Sequence, residues 1–153
     1  MKILIPLDGF PGAEAALPKA MDLAKQSDGA KLCLVRAVEP VTRPDGFAAV
    51  PMAAINEAAE YLKSVAEQLQ NEGADLIWRS VRYATAGAAI VDAAKTVKAD
   101  LVVMASRAAE VTPGTLAEFV RQRTGIPIVL VPWSRRPVAD AAFVHASAEP
   151  FSR

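Results

Sequence analysis

Two hydrophobic periods alternate along the chain, and that alternation limits what it can fold into more than any single motif does. Short apolar runs rich in branched residues, KILIPL (2–7), KLCLVRAV (31–38), DLVVM (100–104) and IPIVLV (126–131), are separated by stretches whose apolar residues return every three or four positions. Runs of the first kind read as strands buried on both faces; stretches of the second kind read as amphipathic helices. The clearest helix carries Ile55, Ala58, Leu62, Val65 and Leu69, with Gly73 to close it. An earlier stripe, Ala13, Ala16, Leu17, Ala20, Met21 and Ala24, has Pro11 at its start, Gly29 as its stop, and Pro18 in a position to kink it or displace its start. A third helix follows Gly87 with Ile90, Val91, Ala94 and Val97, and a short fourth carries Leu116, Phe119 and Val120. The segment DLIWRSVRY (75–83) alternates apolar and polar residues, which suits a strand at a sheet edge.

The order is therefore β-α-β-α-β-α-β-α-β. It predicts an α/β fold: a five-stranded parallel sheet with helices on both faces and right-handed crossovers, which, if the strand order is 3-2-1-4-5, is an open sheet whose order reverses between the first and fourth strands. Residues 1–133 form the expected domain, and residues 134–153 read as a tail with a helical turn around 138–144. The connection 39–51 holds three prolines and a glycine, and reads either as a flap over the ligand end of the sheet or as a long connection. Trp78 and Trp133 are expected to cover the sheet edges.

Composition removes several classes of function. With 153 residues, the chain buries about 68–70% of its unfolded surface, enough for a real core. Lys plus Arg equals Asp plus Glu at 17 each, which leaves no electrostatic footprint for nucleic acid or an anionic membrane. No apolar run approaches a membrane span. The opening MKILIPLDG lacks the features of a secretory signal, so the expected location is the cytoplasm. Cys33 is the one cysteine; in mid-strand it behaves as a small apolar side chain, and no disulfide or multi-cysteine metal site can form within the chain. His145 has no Ser, Cys or acid at a recognisable spacing, so neither a catalytic triad nor a metal site is expected.

Doubly wound sheets bind ligands where the strand order reverses, here between the first and fourth strands. Two loops meet there, PLDG (6–9) and ASRAAEVTPGT (105–115). Asp8 either meets a ribose or only shapes its turn. The second loop leads to a helix N-terminus, which suits an anion, but Ala105 and Ala108 carry methyl groups where close approach needs glycine, Val111 and Pro113 stiffen it, and Glu110 is negative. Thr115 and Glu118 have capping-box spacing, so the helix caps itself. Arg107 is the residue that favours an anion. The last strand, apolar on both faces, should lie at an edge, and both of its ends, Ile126 and Val131, are available for antiparallel pairing with a second copy; alternatively the tail folds back over it.

The stretches ILIPLDG, GAAIVDAAKTVKADLVVMASR and GTLAEFVRQRTGIPIVLVPW, in this order and spacing, resemble the universal stress protein family over residues 1–133. The resemblance implies an adenine-nucleotide alpha-hydrolase-like sheet, usually a homodimer, in a family divided between ATP binders and non-binders. Binders carry G-x2-G-x9-G-S/T. Here Ala105 and Ala108 replace the first two glycines, and only residues 109–113 separate Ala108 from Gly114 and Thr115. What remains of the pattern is Asp8 for the ribose or adenine end, Ala37 at the end of the second strand, and Gly114-Thr115 for phosphate. If a nucleotide binds, the implied site is Pro6, Leu7, Asp8, Ala37, Met104, Ala105, Arg107, Gly114, Thr115 and Leu116. The resulting expectation is a homodimeric stress-response protein without tight ATP binding and with no cofactor, acting through protein partners, with weak ATP hydrolysis at most. The alternative is an ATP- or AMP-binding switch.

Overall fold

The apolar runs become the strands of one sheet because each can be covered on both sides. A computed structural model describes residues 1–107 and 111–133. Its strands are β1 (Lys2–Pro6), β2 (Lys31–Ala37), β3 (Val41–Thr42), β4 (Ala48–Ala49), β5 (Leu76–Arg82), β6 (Leu101–Ser106) and β7 (Ile128–Pro132). The helices are α1 (Ala16–Gln26), α2 (Met52–Asn71), α3 (Ala86–Val97) and α4 (Leu116–Thr124). The main sheet has the order β5-β2-β1-β6-β7, with every neighbouring pair parallel. Counting only these strands, this is the expected 3-2-1-4-5. The order reverses between β1 and β6, and β5 and β7 are the edges.

The twofold period of each strand divides the core in two. Ile3, Ile5, Leu32 and Leu34 meet Leu17, Met21, Leu62 and Leu69 under α1 and α2. Leu4, Cys33, Val35 and Val102 meet Ile90, Val97 and Val120 under α3 and α4. Burying one Leu or Ile in such a layer contributes about 1.5–3 kcal/mol. Burial pushes the Cys33 thiol pKa up, in keeping with its packing as an apolar group.

Helix starts differ from expectation where a local signal intervenes. Pro18 displaces rather than kinks: α1 begins at Ala16, so Pro18 falls in its first turn, and residues Ala13–Ala15 form a short 3-10 turn ahead of it. Helix α3 starts before Gly87, because the Thr85 hydroxyl accepts the Ala88 N–H at 3.4 Å. Gly87 has a packing reason: a Cβ there would lie 2.8 Å from the Phe119 ring of α4.

The connection 39–51 is not structureless. β3 and β4 pair as a small antiparallel hairpin, turned at Asp45, whose Oδ1 accepts the Phe47 N–H at 3.0 Å, and at Gly46 with φ +91°. Trp78 packs from edge strand β5 onto the α3/α4 layer, as expected of an edge cover. Trp133 does not cover an edge. It lies across the top of the sheet against Gly12, where a Cβ would fall 1.0 Å from the indole Nε1, so only glycine fits there. Among the described residues, no helix is long and apolar enough to cross a membrane. The expected helical turn at 138–144, His145, Ala108 and Glu110 lie outside the described residues.

Candidate functional site

The crevice is built from strand ends and two helix starts. The ladder between β1 and β2 continues one residue past β1, with Leu7 N–H donating to Val35 C=O at 2.9 Å. Asp8 then leaves the sheet. Its Oδ1 accepts the Phe10 N–H at 2.8 Å, a side-chain turn that sets the path of the β1–α1 loop. Gly9 follows at φ +87°, and a Cβ there would come within 2.7 Å of the Arg36 guanidinium. Conformation and crowding both require glycine at that point.

Between β1 and β6 the strand ends open into a cavity of about 280 Å³. That places it at the lower end of small-molecule sites, roughly 300–1,000 Å³. Of the residues expected from the sequence, Pro6, Leu7, Asp8, Ala37, Met104, Ala105 and Leu116 line it. Arg107 does not. It sits 4.6 Å over the Trp133 ring and lines a neighbouring cavity of about 450 Å³ together with Asp8, Phe10, Gly12 and Ser106. Gly114 and Thr115 line neither cavity.

At the start of α4, Thr115 bonds locally. Thr115 Oγ1 accepts the Glu118 N–H at 3.1 Å and donates to Thr112 C=O at 2.8 Å, while the Thr115 N–H also donates to Thr112 C=O at 3.1 Å. The threonine half of the expected capping box is therefore present. The glutamate half is not: the Glu118 carboxylate takes two bonds from Arg121, at 2.8 and 2.6 Å, and one from Gln122 at 2.7 Å. A guanidinium one turn away is a stronger partner than a backbone amide already bonded to Thr112. The Arg121 hydrogen bonds hold the Glu118 carboxyl below its ordinary range.

The sequence reading missed two features. Val35, Glu39, Ala86, Ala89 and Ile90 also line the cavity. The signals were local: Glu39 stands two positions beyond Ala37 on the same strand period, and Ala86 and Ala89 share the cavity side of α3 immediately after the Thr85 cap. The second is a polar cluster on the opposite face of the sheet. Tyr61 O–H donates to Glu14 Oε2 at 2.6 Å, and the Arg36 guanidinium lies 5.3 Å over the Tyr61 ring. Burial pushes the Glu14 carboxyl up; the Tyr61 bond works against that shift, and the Asp8 charge adds to it. Burial raises the Tyr61 hydroxyl pKa well above its ordinary value, and the Glu14 charge raises it further. The buried Arg36 Nε has no hydrogen-bond partner among the described residues. No group of three or more His, Cys, Asp or Glu among them could hold a metal ion.

A parallel sheet in this order, with its cavity at the β1/β6 reversal, is the setting in which the comparisons with known proteins fall. The universal stress protein family pattern matches residues 1–132. The chain belongs to this family. No curated protein sequence gives a significant match. Among solved structures, a universal stress protein family member from Burkholderia pseudomallei superposes with a TM-score of 0.65 at 22% identity, covering 86% of this chain and 95% of that one. A universal stress protein from Archaeoglobus fulgidus in complex with dAMP gives 0.63 at 23% identity, covering 86% and 97%. A universal stress protein family protein from Arabidopsis thaliana with AMP bound gives 0.59 at 12% identity, covering 88% and 93%. At these identities the likeness shows a shared universal stress protein fold.

Proposed function

We propose that this universal stress protein acts as a homodimer through contacts with other proteins and does not hold ATP tightly. The observation that carries the reading is the local bonding at the N-terminal turn of α4. A triphosphate cradle needs free main-chain donors at a helix start, and here the Thr115 N–H and hydroxyl are both turned onto Thr112, while the Glu118 N–H is taken by Thr115. Gly114 and Thr115 do not line the cavity that Asp8 and Ala37 line. The sequence supports the same reading, with Ala105 and Ala108 in place of glycines and five residues where ATP binders have nine.

The dimer rests on β7. Val102 N–H donates to Pro127 C=O and Trp133 N–H to Ser106 C=O, so the odd-numbered residues of β7 face β6 and the amides of Ile128 and Leu130 face outward. Among the described residues no strand pairs with the outer side of the half-buried, apolar strand Ile128–Pro132, which suits pairing with its copy. Isothermal titration with ATP and Mg²⁺ tests the first part of the reading, and one site per subunit with micromolar affinity would remove it. Sedimentation equilibrium tests the second part. The expected species is a dimer that Leu130→Pro converts to a folded monomer, and a wild-type monomer at micromolar concentration would contradict it.

One observation favours a second reading, a switch driven by a smaller adenine nucleotide such as AMP. The cavity does gather Asp8, Ala37, Met104, Ala105 and Leu116, the residues that the adenosine end of such a ligand would use. On that reading Asp8→Ala lowers AMP affinity.

A further inference from the structure

The exposed large apolar side chains gather at one end of the molecule. Phe10 follows β1, Val41, Phe47 and Met52 follow β2 in and beside the β3–β4 hairpin, Tyr83 follows β5, and Leu116 follows β6 in the first turn of α4. Among the described residues only Met1 stands at the other end. The hairpin is stiff within itself. The Arg43 N–H donates to Phe47 C=O at 2.8 Å, and the tip is fixed by the Arg43–Asp45 ion pair at 2.8 Å and by the Asp45 turn. Val41 pairs with Ala49 and Arg43 with Phe47, so Val41 and Phe47 share one face as diagonal neighbours.

That face is unused where it stands. β3 and β4 make their main contacts with each other, residues 39–48 are all exposed, and Phe47 is 70% exposed. The cavity mouth lies within the hairpin's reach. Glu39, at the hairpin's base, lines the cavity, and so does Leu116, which is 40% exposed and enters from α4. Two strand spacings, about 10 Å, separate β2 from β6. The four extended steps from Glu39 to Arg43 span about 13 Å, and the five from Phe47 to Met52 about 16 Å. Both legs are therefore long enough to carry Phe47 across the mouth. Pro40 and Pro51 favour extended backbone in those legs, so the hairpin turns as a unit about its two junctions.

We propose that the β3–β4 hairpin is a lid that closes over the cavity mouth and seats Val41 and Phe47 against Leu116. Closure removes three exposed apolar side chains from water, which is its driving force. As a control on ligand exchange the lid rests on the second reading above; its closure needs no ligand.

The test is a distance measurement by double electron–electron resonance on the full chain. Spin labels go on Ala48→Cys, on the hairpin's other face, and on Lys95→Cys of α3; Cys33 is buried and stays unlabelled. Dilution with unlabelled protein restricts the signal to distances within one chain. Two distances are expected, the shorter one gaining population when AMP binds. Phe47→Ser, at an exposed position that leaves the fold intact, is expected to deplete the shorter distance by at least about tenfold, the weight of burying one aromatic side chain. A single distance unchanged by Phe47→Ser would overturn the lid, and so would AMP that binds, by calorimetry on the same sample, without raising the shorter population; the second reading would survive both. A shorter distance lost on dilution would assign the apolar face to a second copy and also overturn it. A shorter distance depleted by Phe47→Ser in a protein that binds no AMP would support the lid and remove the second reading alone.

Discussion

The two faces of the sheet end differently at the strands' C-terminal side. On the α1/α2 face the apolar layer is closed by Arg36, Tyr61 and Glu14, stacked and hydrogen-bonded across elements far apart in the chain. On the α3/α4 face the layer simply stops, and Val35, Ile90 and Met104 form the floor of an open cavity. The same strands supply both ends, since Val35 and Arg36 are neighbours on β2 and point to opposite sides. The layer under α1 and α2 ends in a polar cluster beside β2, and the layer under α3 and α4 ends in an open cavity that Asp8 and Glu39 also line.

The largest effect that separates the faces should come from truncating their floors. Leu69 is 0% exposed and Ile90 3%, so either change to Ala removes a buried aliphatic side chain worth about 2–5 kcal/mol. Leu69→Ala should lie toward the upper end in urea unfolding, because it leaves an enclosed void. Ile90→Ala should lie toward the lower end, because it enlarges a cavity already in contact with solvent. The reverse order would mean that the α3/α4 face is as sealed as the other.

Next comes the cluster itself. Tyr61→Phe keeps the ring but leaves the partly buried Glu14 without its donor, an expected loss of about 1–3 kcal/mol at neutral pH, read by the same unfolding curves. Glu14→Gln should act oppositely and by less. The Glu14 carboxyl is held above its ordinary range, so the folded state binds that proton more tightly than the unfolded chain. Its contribution is present below the ordinary carboxylate range and is lost as pH rises through the raised value. The variant should therefore be more stable than wild type at neutral pH and no more stable at about pH 3, below the ordinary Glu value. Thermal unfolding across that interval checks the sign, and a variant less stable at neutral pH would contradict it.

The smallest stability effect belongs to the open side. Asp8→Asn keeps an oxygen for the Phe10 N–H, so stability should change by less than about 0.5 kcal/mol. A loss comparable to that of Tyr61→Phe would make Asp8 a structural residue alone.

The sheet was legible because each strand announces itself within a few residues. KILIP and LVVM are apolar on both faces, and no competing helical period runs through them. Part of the crevice was legible too, since Asp8, Ala37 and Ala105 stand at strand ends whose place in the sheet was known. Arg107 lines the neighbouring cavity, over Trp133 just past the end of β7, and a stacking pair leaves no periodic trace. The polar cluster joins Glu14, Arg36 and Tyr61 across three elements, which no local pattern encodes. The one hint was Arg36 itself, on the same strand period as the buried Leu32 and Leu34. The β3–β4 hairpin was hidden by length: two-residue strands among prolines and a glycine look like any turn-rich loop.

The proposed lack of tight ATP binding turns on the start of α4, where the Thr115 amide and hydroxyl are bonded to Thr112. A titration of isotopically labelled protein with ATP and Mg²⁺, followed amide by amide in nitrogen–proton correlation spectra, addresses it most directly. The account predicts that the amides of Gly114, Thr115 and Leu116 keep their positions up to millimolar ATP. Saturable shifts of those three amides at micromolar ATP would show the turn opening around a triphosphate and would contradict it.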